Sequence, residues 1–159
     1  MISPQKIIFG GTFDPIHDGH RSIFNQAFKL GNVTVGLTSD NLALRTRHSY
    51  RPVRPFADRM ENLSSELSVF SEIHSRTFSI KKLLHPTGIA TDNHFDVLLV
   101  SPETQPIGDL INFSRKKNSL KALKIITVPF HLSEDGKITS STRIFHGEID
   151  DKGRKMGTF

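Results

Sequence analysis

Two histidines three residues apart, His17 and His20, close the stretch Gly10-Gly11-Thr12-Phe13-Asp14-Pro15-Ile16-His17-Asp18-Gly19-His20, whose residue types suit phosphate binding. The glycine pair lets an anion come close to the backbone. A helix starting directly after it would add unpaired N–H groups and a partial positive charge. Histidines three apart share one side of such a turn and can donate ring N–H groups to phosphate oxygens. His-x-x-His can also be half of a zinc site, but the chain has no cysteine, and no further His or Glu stands at the spacing a helical zinc site needs. Asp14-Pro15 reads as an Asp capping a turn that Pro stiffens, in preference to a metal ligand. A second group, Ser140-Ser141-Thr142-Arg143, combines three hydroxyls with a guanidinium. A Ser there would serve as an ordinary N-cap. Hydroxyls, free amides and an arginine converging at one helix start also make a second phosphate cradle. Two cradles on one sheet edge suit a triphosphate stretched between them.

The elements that must bring these stretches together follow from hydrophobic periodicity. Residues 6–9 form a β-branched and aromatic run entering the glycine turn, a buried strand. Ile23, Phe24, Ala27, Phe28 and Leu30 recur at helical spacing up to a stop at Gly31-Asn32, and residues 33–38 make a second strand. This is a βαβ unit with a right-handed crossover. Phe56, Met60, Leu63, Leu67 and Phe70 mark an amphipathic helix from Pro55. A short strand is expected at 72–76 and a brief helix within 80–88, broken at Pro86. The apolar run 95–100 reads as a strand covered on both faces. A helix through Ile107, Leu110 and Ile111, a strand at 124–128 and a capped helix start at 140–145 complete the pattern. Alternating strands and helices imply a single Rossmann-like, doubly wound α/β domain over 1–159 with a five-stranded parallel sheet. Its last residues, 147–159, are expected to be a loosely held tail.

At 159 residues the chain is sized for one domain, and a net charge of +5 with a pI near 9.7 favours anionic partners, nucleic acid or phosphorylated small molecules. The basic clusters Arg45, Arg47, Arg51, Arg54 and Arg115, Lys116, Lys117, Lys121, Lys124 lack interleaved aromatics for base stacking. They read as solvated helix faces. With no apolar run of membrane-spanning length, no signal-peptide pattern at residues 1–10 and no cysteine, the expectation is a cytoplasmic protein with neither membrane nor nucleic acid as partner.

GGTFDPIHDGH resembles the signature of the HxGH nucleotidyltransferases, and SSTRI resembles their second motif. The segments VGLTSD, RPFADRMENL, ATDNHFDVLLVSPET, SEDG and GEIDDKGR narrow the resemblance to archaeal-type phosphopantetheine adenylyltransferases, over about residues 6–154. The resemblance implies transfer of AMP from ATP to 4'-phosphopantetheine, giving dephospho-coenzyme A and pyrophosphate. Carried over by position, His20 stabilises the transition state at the α-phosphate and His17 contacts the ATP phosphates. Thr12 stands between ATP and the acceptor phosphate, with Phe13 supplying an adjoining amide and Gly10 and Gly11 lining the nucleotide site. Ser140, Ser141, Thr142 and Arg143 hold the β- and γ-phosphates. Mg2+ rides on the triphosphate with few or no protein ligands, so no metal-ligating residue is assigned.

Three departures limit the carry-over. Bacterial relatives hold the acceptor phosphate with a lysine after the second strand; here Arg45 is the choice, with Arg47 the alternative. Ser101-Pro102-Glu103-Thr104 replaces a bacterial arginine and glycine pattern. Thr139 stands where an apolar residue is usual and reads as a tolerated loop change. Other acceptors in the same superfamily (nicotinamide mononucleotide, FMN, an alcohol phosphate paired with CTP) and a non-catalytic nucleotide-binding module stay open. The oligomeric state is open as well, with a monomer as the working expectation.

Overall fold

The computed structural model describes residues 3–47, 49–91 and 94–157. Asp92 and Asn93, within the ATDNHF segment, and the last two residues of the tail lie outside them. Strand β1 (Gln5–Gly11) leads through the glycine turn into helix α1 (Asp18–Leu30). Strand β2 (Gly31–Thr38) follows without a connecting loop. Gly31 is therefore not a left-handed stop but the first residue of the strand, in extended backbone. What demands glycine there is space, because a Cβ would lie 2.0 Å from the Gln5 carbonyl oxygen on the paired strand.

A short helix, α2 (Asp40–Thr46), precedes the long α3 (Phe56–His74). Residues 72–76 thus close a helix rather than form a strand. The third strand, β3 (Phe78–Leu83), takes the stretch where a helix was expected to begin, and the brief helix appears later as a 3-10 turn at Gly88–Thr91. In β3 only Phe78, Ile80 and Leu83 are partly sheltered and none is fully buried, as at the edge of a sheet, so its apolar signal is thin. Strand β4 (Val97–Val100), helix α4 (Gln105–Lys117), strand β5 (Lys124–Thr127) and helix α5 (Ser141–Phe145) complete the order.

All pairings in the five-stranded sheet are parallel, in the order β3-β2-β1-β4-β5. Ile7 and Phe9 of β1 and Val33 and Val35 of β2 face one core, closed by Phe24 and Phe28 of α1 and Leu63 and Leu67 of α3. Ile8, Leu98 and Val100 face the other, closed by Ile111 of α4. Each fully buried Phe or Leu contributes about 1.5–3 kcal/mol by leaving water. Covering both faces makes the sheet doubly wound. The chain runs outward from β1 in both directions, to β2 and to β4, so a crevice opens at the carboxyl ends of these central strands, where such sheets bind ligands.

The C-terminal stretch is docked, contrary to the expected loose tail. Ile149 is fully buried, the Asp18 N–H donates to the Asp151 carbonyl at 2.8 Å, and the Glu134 N–H donates to that of Gly153 at 2.8 Å. An ion pair joins Arg21 to Asp151. The GEIDDKGR segment is polar because its contacts are hydrogen bonds to α1 and to the 131–139 loop, which composition alone reads as a solvated tail.

Candidate active site

At the end of β1, Phe13 adopts a left-handed backbone (φ 52°), which a non-glycine residue rarely holds without compensation. The compensation is its ring, buried against Phe9, Phe24 and His20. Gly11 is needed beneath it, since a Cβ there would meet the ring at 2.9 Å. The next residue, Asp14, is buried and its carboxylate accepts the Arg54 backbone N–H at 2.6 Å and the Arg54 Nε–H at 2.7 Å. Its role is to anchor residues 51–54 over the turn, the structural reading of Asp14-Pro15.

His17 is the N-cap of α1. Its Nδ1 accepts the Gly19 N–H at 3.0 Å, while its own backbone N–H donates to Nδ1 of His20 at 3.2 Å. The two rings stack with centroids 3.8 Å apart at 20°. A nitrogen that accepts a backbone N–H carries no proton, so in each ring the proton resides on Nε2. Burial, reinforced by Arg21 and His131, lowers the His17 pKa to about 4; burial, with His17, Arg21 and Arg51, holds His20 well below the ordinary histidine value. At neutral pH the helix start therefore presents two neutral imidazoles, each with one N–H donor.

The second motif meets the first. Ser141 Oγ donates to the Pro15 carbonyl at 3.0 Å across 126 residues of sequence, and Ser140 caps α5 by accepting the Arg143 N–H at 3.2 Å. Ser140, Ser141 and Thr142 line the same cavity of about 440 Å³ as Gly10, Gly11, Thr12, Phe13, His17 and His20. Arg143 departs from expectation: its guanidinium does not line the cavity but pairs with Asp135 and Glu148 and donates to the Ile138 carbonyl at 3.1 Å. It ties α5 to the 131–139 loop.

The arginine cluster is not a solvated helix face. Arg45 lies exposed in the last turn of α2, away from the cavity lining, whereas Arg47 and Arg51 line it. Arg47 is engaged, donating to the Arg51 carbonyl at 2.8 Å with its guanidinium over the Tyr50 ring. Arg51 is 9 % exposed, donates Nη1–H to the Asp14 carbonyl at 2.7 Å, and leaves its buried Nε–H without a partner among the described residues. Desolvation lowers its pKa, the mark of a cation held where an anion would be welcome. In the second cluster Arg115 is likewise buried, bonding the Lys121 and Ala90 carbonyls. Spacing could not separate these two from their exposed neighbours.

The sequence reading also passed over Thr38, Arg59 and His131. Arg59 stands four residues before Leu63 and eight before Leu67, on the apolar stripe of α3, where a charge is itself the signal. Thr139 is no idle loop change: its Oγ1 bonds both Nδ1 of His131 and Oγ of Ser133 at 2.8 Å, beside the cavity.

A cytidylyltransferase-like family model matches residues 8–146. The phosphopantetheine adenylyltransferase of Archaeoglobus fulgidus is 39% identical over 151 residues, covering 94% of this chain and 98% of that protein. The chain belongs to the phosphopantetheine adenylyltransferase family. Within it, the enzyme of Methanosarcina mazei is 38% identical over 152 residues, covering 94% and 96%. A crystal structure of a protein with unknown function from Archaeoglobus fulgidus superposes with a TM-score of 0.67 at 34% identity, over 77% of this chain and 88% of that one. Family membership accords with the resemblance carried by the HxGH and SSTRI stretches and with the α/β sheet that holds them.

Proposed function

We propose that the protein transfers AMP from ATP to 4'-phosphopantetheine, releasing pyrophosphate and dephospho-coenzyme A, as the names of its relatives indicate for them. The observation that carries this reading is the Ser141–Pro15 bond, which sets both phosphate-binding stretches on one cavity. The attacking group is a phosphate monoester with a second pKa of about 6, ionised at neutral pH, so the site needs no general base. Its task is to hold two anions together, in line, while charge builds on the α-phosphate oxygens. The Nε2–H groups of His17 and His20 donate to those oxygens without bringing a proton that would have to leave. Thr12 holds the acceptor phosphate from the β1 side, and Arg51, in place of Arg45, supplies its counter-charge. Ser140, Ser141 and Thr142 border the pyrophosphate end, and Arg143 acts there through the loop it ties down.

Among the described residues no three His, Asp or Glu side chains gather as a cation site, and of the two carboxylates that line the cavity, Asp14 and Glu103, Asp14 is held by Arg54. This lining fits Mg2+ carried by the nucleotide's own phosphates, where it would neutralise charge on the triphosphate. No helix among the described residues is long and apolar enough to cross a membrane. We place the reaction in the cytoplasm, where a chain without cysteine meets no constraint from reducing conditions.

The test is pyrophosphate release from ATP and Mg2+ with 4'-phosphopantetheine, beside nicotinamide mononucleotide, FMN, and an alcohol phosphate with CTP. Turnover confined to 4'-phosphopantetheine is expected. Preference for another acceptor, or ATP binding without turnover of any, overturns the reading.

A further inference from the structure

Beneath the nucleotide turn lies an arginine that touches no solvent. Arg59 of α3 is 0 % exposed, and each of its donor groups is engaged: Nε–H to the Arg54 carbonyl at 2.8 Å, Nη2–H to Asp40 at 2.9 Å, and Nη1–H to both the Thr12 carbonyl (3.3 Å) and Thr38 Oγ1 (3.2 Å). Thr38, at the end of β2, is buried, and its Oγ1 lies 2.9 Å from Thr12 Oγ1. A fully desolvated guanidinium is costly to bury, and its strongest partner here, Asp40, is largely exposed, so stability alone is a poor account of it.

We propose that Arg59 and Thr38 are positioning residues that set the direction of the Thr12 hydroxyl and of the Phe13 amide for the acceptor phosphate. An arginine only donates, so Thr38 Oγ1 accepts from Arg59. An ionised phosphate only accepts, so a Thr12 hydroxyl bound to it must spend its proton there and receive one from Thr38. The chain then runs in one sense, Arg59 to Thr38 to Thr12 to phosphate, each bond polarising the next. The second Arg59 contact works through the peptide between Thr12 and Phe13. In a trans peptide C=O and N–H point oppositely, so a carbonyl pinned on Arg59 turns the Phe13 N–H away from the core. That N–H has no acceptor among the described residues. The left-handed Phe13 backbone is the conformation this pin maintains.

This inference rests on the adenylyl-transfer reading, so wild-type turnover with 4'-phosphopantetheine is established first; its absence would remove both, whereas the Thr38 variants, measured in an active enzyme, decide this inference alone. Thr38→Val keeps shape and loses the donor, Thr38→Ser keeps the donor, and Arg59→Met tests the source but is open to misfolding. The expected result is a kcat about tenfold lower for Thr38→Val, with KM for ATP within twofold of wild type and a thermal midpoint lowered by only a few degrees, since Arg59 Nη1 keeps the Thr12 carbonyl, and recovery to within threefold in Thr38→Ser. On a Thr12→Val background, Thr38→Val should cost nothing further, because its effect passes through the missing hydroxyl. A packing role would instead lower kcat by the same factor on both backgrounds. That additivity, or a Thr38→Val enzyme with wild-type kcat, overturns the proposal.

Discussion

The rings of His17 and His20 lie 3.8 Å apart and nearly parallel, and each has its Nδ1 occupied by a backbone N–H of the same helix start. The helix thereby chooses the tautomer of its own two catalytic candidates. Replacing His20 by Ala removes one N–H donor from the cavity lining and the acceptor for the His17 amide. By comparison with other lost transition-state donors, kcat should fall about a hundredfold or more. Circular dichroism and thermal melting should show the fold intact. A His20→Ala enzyme with near wild-type kcat would remove His20 from the chemistry.

Gly19 is the residue that leaves room for this arrangement. A Cβ there would stand 2.7 Å from the His17 ring, whereas in an open helix interior Gly→Ala is favourable by about 0.5–1 kcal/mol. Gly19→Ala should therefore separate activity from stability: a thermal midpoint within a few degrees of wild type and kcat/KM for ATP at least tenfold lower. Equal activity in the two proteins would show that the ring tolerates displacement.

The depressed histidine pKa values set a direction for stability against pH. An unfolded histidine takes its proton near 6.5, whereas folded His17 takes one only near 4. Between those values the unfolded chain binds more protons, so stability is full above pH 6.5 and falls as the pH drops toward 4. The shift corresponds to about 3 kcal/mol for His17, at about 1.4 kcal/mol per pKa unit, and His20 acts in the same direction. Asp135 and Asp150, whose pKa values are lowered by their arginine and backbone partners, add an acid loss only below the ordinary carboxylate range. Urea midpoints from pH 7 to 4.5 should decline for the wild type and more gently for His17→Gln. Identical profiles for the two would contradict a buried neutral His17.

The parts legible in the sequence were those where the physics is local. The step from β1 through Gly10-Gly11 to His17 and His20 is written in consecutive residues, and the position of β4 follows from an apolar run buried on both faces. Illegible were the parts decided by distant partners. Arg51 and Arg45 are indistinguishable as letters, yet Asp14, itself clamped by Arg54, draws Arg51 inward and leaves Arg45 in solvent. Arg143 reads as a phosphate ligand until Asp135, brought round by the 131–139 loop, claims its guanidinium. Strand β3 was displaced by several residues because an edge strand carries half the hydrophobic signal of a central one.

Arg51 and Arg45 give a paired test of where the acceptor phosphate sits. Arg51→Gln removes a buried guanidinium of the cavity lining that has a spare donor, and a bond to a charged group is worth about 1.5–3 kcal/mol. KM for the acceptor should rise about tenfold to a hundredfold with KM for ATP little changed. Arg45→Gln should leave both constants within twofold. The reverse pattern would return the acceptor phosphate to Arg45.

The docked C-terminal segment couples stability to the site. Ile149 is fully buried, and two residues later Asp151 accepts the N–H of Asp18 and pairs with Arg21, both on the first turn of α1 beside His17 and His20. Ile149→Ala opens a cavity and should cost about 2–5 kcal/mol, a fall in Tm of roughly 5–15 °C. Asp151→Asn, exposed at its side chain, should cost little stability, because its backbone carbonyl still caps Asp18 and a partly exposed ion pair contributes at most about 1 kcal/mol. If the segment supports the helix start, kcat of Ile149→Ala measured well below its Tm should also drop severalfold. A protein truncated after residue 146 that kept both the wild-type Tm and wild-type kcat would show that the docking is incidental to fold and site alike.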